Sequence, residues 1–389
     1  MTFHINKQNI IESSATVAIN SLAQKKISSG IKIFNLSVGE PKLPMHELLL
    51  EAAVEAMRKG KTLYPPVSGI SELKRSASEW MKNSYDCSYK PENCLVVNGG
   101  KFGIYLLLQL ALTKGNEVII VSPYWVSYPA ITRLFGGTPI IVETNEIENW
   151  KLTPDKLKKV CSSNSKVLIL NNGSNPTGIL YTKQELKEIL DVAREYNLLV
   201  ISDEVYSGLA YDNHPYISCG SFPEHQDNVI VIQSCSKNFA MTGWRVGFVF
   251  GNENIIKQLT SLVGQSTSGV TTISQWVAVA AIENEKIINP WVKQEMQKRR
   301  DLMASLLNNQ FSVTVNPPPS SLYFFISLVK LGVKNMTSAE FCTRVLEKEN
   351  TALVPGLAFG KEGYIRLSFG TDEDDLIQGI KNLARSIHP

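Results

Sequence analysis

Lys237 and Arg245 stand eight positions apart in the stretch "SCSKNFAMTGWRVG" (234–247), and Ser234 and Ser236 flank the lysine. Lysine in a loop is ordinarily solvated, yet this one sits between small hydroxyl residues and an apolar run. A lysine so placed can form a Schiff base with an aldehyde. Serine hydroxyls and a guanidinium nearby suit a phosphate dianion. Four other short stretches carry chemistry of the same kind: "GGK" (99–101), "SPYW" (122–125), "NNGSNPTG" (171–178) and "DEVY" (203–206). Each has an ordinary reading alone. Gly99 and Gly100 could serve a turn, Trp125 a core, Asn175 a turn, and Asp203 a helix cap. Together they suit an aldehyde cofactor that bears a phosphate and a pyridine ring. A carboxylate keeps the pyridine nitrogen protonated, so the ring withdraws electrons from a carbanion. Helix-start amides, hydroxyls and arginine hold the phosphate, and a tryptophan stacks on the ring.

The elements that must position these groups are legible from residue 95 onward. Short β-rich runs alternate with helical stretches: 95–98, 117–121, 166–170, 198–202, 228–233 and 245–250 read as strands. Runs without internal polar alternation are buried on both faces, as in a mainly parallel sheet covered by helices. That is an α/β domain. The five stretches above each follow directly on one of these strands, and ligands of open α/β sheets bind at the carboxyl ends of the strands. Order and placement favour a site over five unrelated loops. The ends of the chain differ: "IFNLSVGEP", "SLYFFISLV", "TALVP" and "YIRLSFG" mix with the helical stretch "TSAEFCTRVLEKEN", which predicts a smaller α+β unit built from both termini. "NPPPSS" (316–321) reads as a turn into a strand.

Composition bounds the rest. A chain of 389 residues exceeds one small core and favours two domains. Apolar residues make up 43% and charged residues 19%, and the formal net charge of +3 is spread without a basic block, so no nucleic-acid or membrane surface is expected. The six cysteines form no CxxC pair and no zinc spacing, which predicts reduced thiols, no metal site and a cytoplasmic location.

With these motifs in view, the sequence resembles the class I pyridoxal-phosphate-dependent aminotransferases of fold type I over nearly its whole length. The resemblance is carried by "SATVAIN" (14–20), "VGEP" (38–41), "YPPVSGISELK" (64–74), "NGGKFGI" (98–104), "SPYWVSYP" (122–129), "NPTG" (175–178), "DEVY", "SCSKNFAMTGWRVGF" and "YIRLSFG" (364–370). "SATVAIN", "NGGK" and "PYWVSYP" point to the bacterial-type aspartate aminotransferases, including those that also use prephenate. The resemblance implies a large domain over 46–294 with a mainly parallel seven-stranded sheet. The small domain it implies takes in residues 1–45 and 295–389.

It also implies roles. Lys237 is the Schiff-base and proton-transfer residue, and Ser234, Ser236, Arg245 and the turn Gly99–Gly100–Lys101 hold the phosphate. Asp203 faces the pyridine nitrogen, Asn175 and Tyr206 bond the ring oxygen, and Trp125 stacks on the ring. Arg366 grips the substrate's α-carboxylate, and Gly39 lies where backbone approaches substrate. Tyr64 arrives from the second subunit of a homodimer. Lys101, Ser14 and Thr16 approach a distal carboxylate, which makes aspartate or glutamate the expected donor and 2-oxoglutarate or oxaloacetate the acceptor, in a ping-pong cycle.

The chain departs from the family pattern at Glu12, Ser13, Gly173 and Ser320–Ser321. None belongs to the cofactor set. The changes at Glu12 and Ser320–Ser321 leave the substrate and prephenate use open, with an aromatic or basic donor as the alternative. The nearest rival of another activity is a carbon–sulfur lyase of the same fold, against which "SATVAIN" and "NGGK" weigh. A regulator built on this fold would add a DNA-binding domain, and no helix-turn-helix pattern fits this chain.

Overall fold

The computed structural model describes residues 15–311 and 313–387. Glu12, Ser13, Ser14 and the side chain of Thr16 lie outside the described residues. After a two-residue strand β1 (Phe34–Asn35), the chain builds a seven-stranded sheet from β2 (Cys94–Val97), β3 (Glu117–Ser122), β4 (Thr138–Glu143), β5 (Ser165–Asn171), β6 (Leu199–Asp203), β7 (Val229–Ser234) and β8 (Gly247–Phe250). Their order across the sheet is β2-β8-β7-β6-β5-β3-β4. All pairings are parallel except those of β8, which runs against both β2 and β7. The central strands are apolar on both faces because helices cover both. Successive residues alternate between two cores: Leu95 and Val97 enter one, Cys94 and Val96 the other, and the same alternation runs along β7 through Ile230, Ile232 and Val229, Val231.

β4 was not among the runs picked out from the sequence. It is the outermost strand, only partly buried, and its Pro139 blurs the β signal; an edge strand tolerates proline because one side of its backbone needs no partner. The strand expected from residue 245 begins at Gly247 instead. Arg245 takes a left-handed backbone conformation, φ 57°, after the 3-10 turn Thr242–Trp244.

Toward the C-terminus, β9 (Tyr323–Ser327), β10 (Thr351–Ala352), β11 (Val354–Pro355) and β12 (Tyr364–Ser368) form two small sheets. One is antiparallel, in the order β11-β12-β9; in the other, β1 pairs with β10 in parallel, so the N-terminal segment joins the C-terminal unit. The helix Ser338–Glu349 starts at a full capping box, with Thr337 and Glu340 exchanging side-chain and backbone bonds. A 27-residue helix, Glu285–Phe311, connects the regions and carries Pro290 inside it. Its adjacent arginines point to different partners. Arg299 donates to the carbonyls of Lys42, Gly370 and Thr371, whereas Arg300 holds both oxygens of Asp212 at 2.6 and 2.8 Å. No helix of the described residues is long and apolar enough to cross a membrane.

One contact in this frame ties the sheet to the glycine turn. A Cβ on Gly247 would come within 2.6 Å of the Gly100 amide nitrogen and 2.7 Å of the Gly99 carbonyl carbon, both backbone atoms that cannot turn aside. Gly247→Ala should destabilise the protein by about 1–3 kcal/mol, the range for overpacking. Thermal unfolding checks this, and an unchanged midpoint would show that the turn is free to move.

Candidate active site

A cavity of about 260 Å³ opens at the carboxyl ends of β5, β6 and β7. Of the residues singled out from the sequence, Gly39, Gly100, Lys101, Trp125, Asn175, Asp203, Tyr206, Ser234, Ser236, Lys237, Arg245 and Arg366 line it. β7 ends in Ser234, which caps the short helix Cys235–Asn238: its hydroxyl accepts the Ser236 amide at 3.1 Å and donates to the Ser236 hydroxyl at 2.9 Å. That helix turns Lys237 into the cavity, where Nζ donates to the Gly39 carbonyl. Burial lowers the lysine to about 8; Glu40 opposes the shift, and Arg245 and Arg366 add to it. Near neutrality a share of this amine is therefore uncharged, as a nucleophile or base must be.

Across the cavity, helix Gly100–Ala111 starts at the lining residues Gly100 and Lys101. Gly99 sits just ahead of it at φ 82°, and a side chain there would meet Arg245 Nη2 at 2.3 Å, so the guanidinium lies against bare backbone. Arg245 Nη1 donates to the Thr242 carbonyl at 2.7 Å, which fixes its direction. Lys101 Nζ lies over the Trp125 ring, 4.7 Å from its centroid. Loss of water lowers its proton affinity, and Arg245 lowers it further.

Asp203 ends β6 and is buried. The Tyr128 hydroxyl donates to Oδ2 at 2.6 Å, and Oδ1 has no partner. Burial raises this carboxyl to about 6, against the opposing bond from Tyr128 and the influence of the nearby Val205 amide. Arg366, on β12, is 3% exposed; it donates to Asn175 Oδ1 at 3.1 Å and to the Ser37 carbonyl, and among the described residues no carboxylate pairs with it. Burial lowers its pKa.

Two expected residues stand elsewhere, and a third is not described. Tyr64 is 93% exposed, away from the cavity of its own chain. Gly99 supports the lining without joining it, and the Thr16 side chain is outside the described residues. Sequence reasoning missed Tyr128, Asn171, Val205, Thr242 and Tyr323, all of which line the cavity. Tyr128 and Val205 lie inside stretches already quoted, and Asn171 is the first residue after its expected strand. Tyr323 gave no signal beyond an aromatic in a strand. Gly39 gains a second explanation, because the place of its missing side chain is taken by the Tyr323 hydroxyl, 1.9 Å from where a Cβ would stand. Ser320 and Ser321 do not line the cavity. Ser320 Oγ instead fills the space beside Gly173, where a Cβ would approach it at 2.9 Å, so two departures from the family pattern meet each other.

The residues present fit pyridoxal phosphate. Four cationic side chains and one carboxylate line the cavity, an excess that a phosphate dianion offsets. The unpartnered Asp203 Oδ1 is an acceptor in want of a donor, which a protonated pyridine nitrogen supplies.

A mainly parallel α/β sheet whose strand ends bring a lysine, an aspartate, two serines and an arginine to one cavity suits the class of pyridoxal-phosphate enzymes. Residues 31–383 match the model of the "Aminotransferase class I and II" family. The chain is 34% identical to the aspartate aminotransferase of Bacillus subtilis, with 96% of each chain covered. It is 34% identical to the aspartate/prephenate aminotransferase of Thermus thermophilus, over 96% of this chain and 95% of that one. The structure superposes on Thermus thermophilus aspartate aminotransferase with maleate at a TM-score of 0.93 and 32% identity, covering 99% of this chain and all of that one. The chain belongs to the class I and II aminotransferases, and it is an enzyme that depends on pyridoxal 5'-phosphate.

The raised carboxyl of Asp203 has a signed consequence. Its protonated form stabilises the folded apoprotein at low pH, and this contribution is lost as pH rises through about 6. Asp203→Asn should therefore stabilise the apoprotein by up to about 3 kcal/mol at pH 8 and by almost nothing at pH 4, while weakening cofactor binding. Unfolding midpoints across pH measure it; a variant less stable than wild type at pH 8 contradicts the assignment.

Proposed function

We propose that this aminotransferase takes its amino group from a dicarboxylic amino acid, aspartate or glutamate, and passes it to 2-oxoglutarate or oxaloacetate in a ping-pong cycle. The observation that carries this reading is a pair of cations without carboxylate partners among the described residues, Arg366 and Lys101, on the walls of one cavity. A substrate with two carboxylates offers a counter-charge to each, to the buried Arg366 and to the more exposed Lys101. The names of the relatives agree with it.

When bound, pyridoxal phosphate supplies an aldehyde that receives the amino group and a pyridinium ring that draws electrons from the substrate's α-carbon. Ser234, Ser236, Arg245 and the amides of the turn Gly99–Gly100–Lys101 hold its phosphate. Asp203 keeps the ring nitrogen protonated, Asn175 and Tyr206 bond the ring oxygen, and Trp125 covers the ring face. Arg366 orients the substrate through its α-carboxylate by the forked geometry of guanidinium. Lys237 Nζ takes the proton from the α-carbon, a task its lowered pKa suits. Residues 46–294 form the large domain, and the described residues before 46 and after 294 form the small one. Six unpaired thiols accord with a cytoplasmic enzyme.

The working unit is a homodimer. Leu63 and Tyr64 are 81% and 93% exposed, and the helix Glu47–Arg58 just before them exposes Leu50 and Met57. A second copy of this chain would cover that apolar face and bring Tyr64 to the partner's phosphate.

Lys101→Ala should lower kcat/KM for aspartate by about tenfold or more and leave phenylalanine within about twofold. Steady-state kinetics with aspartate, phenylalanine and arginine decide it. An equal loss for all donors would assign Lys101 to the cofactor alone, and arginine outperforming aspartate in wild type would overturn the donor.

Mixing Tyr64→Phe subunits with Lys237→Ala subunits tests the shared site. If Tyr64 acts across the interface, each mixed dimer concentrates both defects in one site and leaves the other intact, so activity rises above that of either parent. No gain on mixing, with mixed dimers confirmed by mass, rejects sharing.

A further inference from the structure

We propose that Tyr323 is a positioning residue that serves both halves of the site at once, donating its hydroxyl proton to Tyr206 and laying its ring under Arg366. The inference rests on the reading above, in which Tyr206 bonds the cofactor's ring oxygen and Arg366 the substrate's α-carboxylate.

Tyr323 opens β9, opposite Ser368 of β12, the strand that carries Arg366. Its side chain is 1% exposed, and its hydroxyl lies 2.7 Å from that of Tyr206. The two rings meet edge to face, with centroids 6.0 Å apart. On its other side, the Tyr323 ring lies 4.2 Å from the centre of the Arg366 guanidinium. Gly39 is without a side chain where the hydroxyl sits, so this placement is built into the backbone around it.

Either phenol can donate in the Tyr206–Tyr323 bond when the pair is considered alone. A phenol has one proton. Once Tyr206 gives its proton to an acceptor in the cavity, its oxygen can only accept, and Tyr323 must be the donor. The direction is then Tyr323 to Tyr206 to the ring oxygen, and each bond in such a chain polarises the next. Burial raises both phenols above their usual range, so both keep their protons at working pH. Arg366 gains differently. It has no carboxylate partner among the described residues, and the faces of Tyr323 and Phe359 supply the negative potential that a buried guanidinium otherwise lacks. That leaves its charge available to a carboxylate entering from the cavity.

The two contributions separate by substitution, because Tyr323→Phe removes the hydroxyl and keeps the ring, whereas Tyr323→Leu removes both. The charged groups facing the pair, Arg366, Asp203 and Glu40, stay in place in each. The first measurement is the pH titration of the bound cofactor's absorbance in the holoenzyme. A weaker Tyr206 donor stabilises the deprotonated, more negative form less, so Tyr323→Phe should raise the midpoint by about half a unit or more. Its KM for the amino donor should stay within about twofold of wild type. Tyr323→Leu should in addition raise KM for every donor by about tenfold, since all donors share the α-carboxylate. In a Tyr206→Phe background, Tyr323→Phe should add no further midpoint shift. An unshifted midpoint in Tyr323→Phe overturns the proposal, as does a shift that persists in the Tyr206→Phe background. Failure of wild type to bind the cofactor or transaminate would sink the underlying reading instead, and it shows before any variant is made.

Discussion

Positive charge gathered in a partly dehydrated space is the constraint on which this structure turns. Lys101, Lys237, Arg245 and Arg366 surround one cavity with Asp203 as the single carboxylate among its lining residues. In water such a cluster would disperse; here each cation is held by something other than an acid. Arg245 rests on the Thr242 carbonyl and the bare backbone of Gly99, Lys237 on the Gly39 carbonyl, Lys101 on an indole face, and Arg366 on two aromatic rings, a carbonyl and an amide. Carbonyls and ring faces orient a cation without neutralising it. The site therefore keeps its affinity for anions.

The fold's contribution is to bring these groups from distant parts of the chain. Strand ends of the large sheet supply the lysine, the aspartate and the asparagine: Asp203 is the last residue of β6, Lys237 lies in the short helix after β7, and Asn175 in the segment after β5. Arg366 comes from a different sheet, the antiparallel one of β11, β12 and β9, and Gly39, which follows β1, lines the same cavity. The Arg366–Asn175, Tyr323–Tyr206 and Lys237–Gly39 bonds are among those that join the two halves at the cavity.

Most of this site is legible in the sequence because its strand ends carry polar residues immediately after apolar runs. Lys237, Asp203, Asn175 and Gly100 are placed by that pattern alone. What escapes it is whatever depends on contact between remote segments. Tyr128 looks like a core aromatic until its hydroxyl is found on Asp203, and Tyr323 looks like strand filling until its neighbours are known. The edge strand β4 escapes for a local reason, its proline and partial exposure. Gly173 and Ser320, 147 positions apart, read as unrelated departures, yet each fits because of the other.

The neighbouring arginines of the long helix have a mechanical consequence. Consecutive residues of an α-helix project about 100° apart. Arg299 is tied on one side to the carbonyls of Lys42, Gly370 and Thr371, and Arg300 on another to Asp212. A rod pinned on two sides at one level cannot roll about its own axis without stretching one set of ties. The compliant direction that remains is bending, and the proline at position 290 removes one rung of the helical ladder on the N-terminal side of the pins. Bending of the helix is therefore easier near Pro290 than at the two arginines, where ties on two sides hold it.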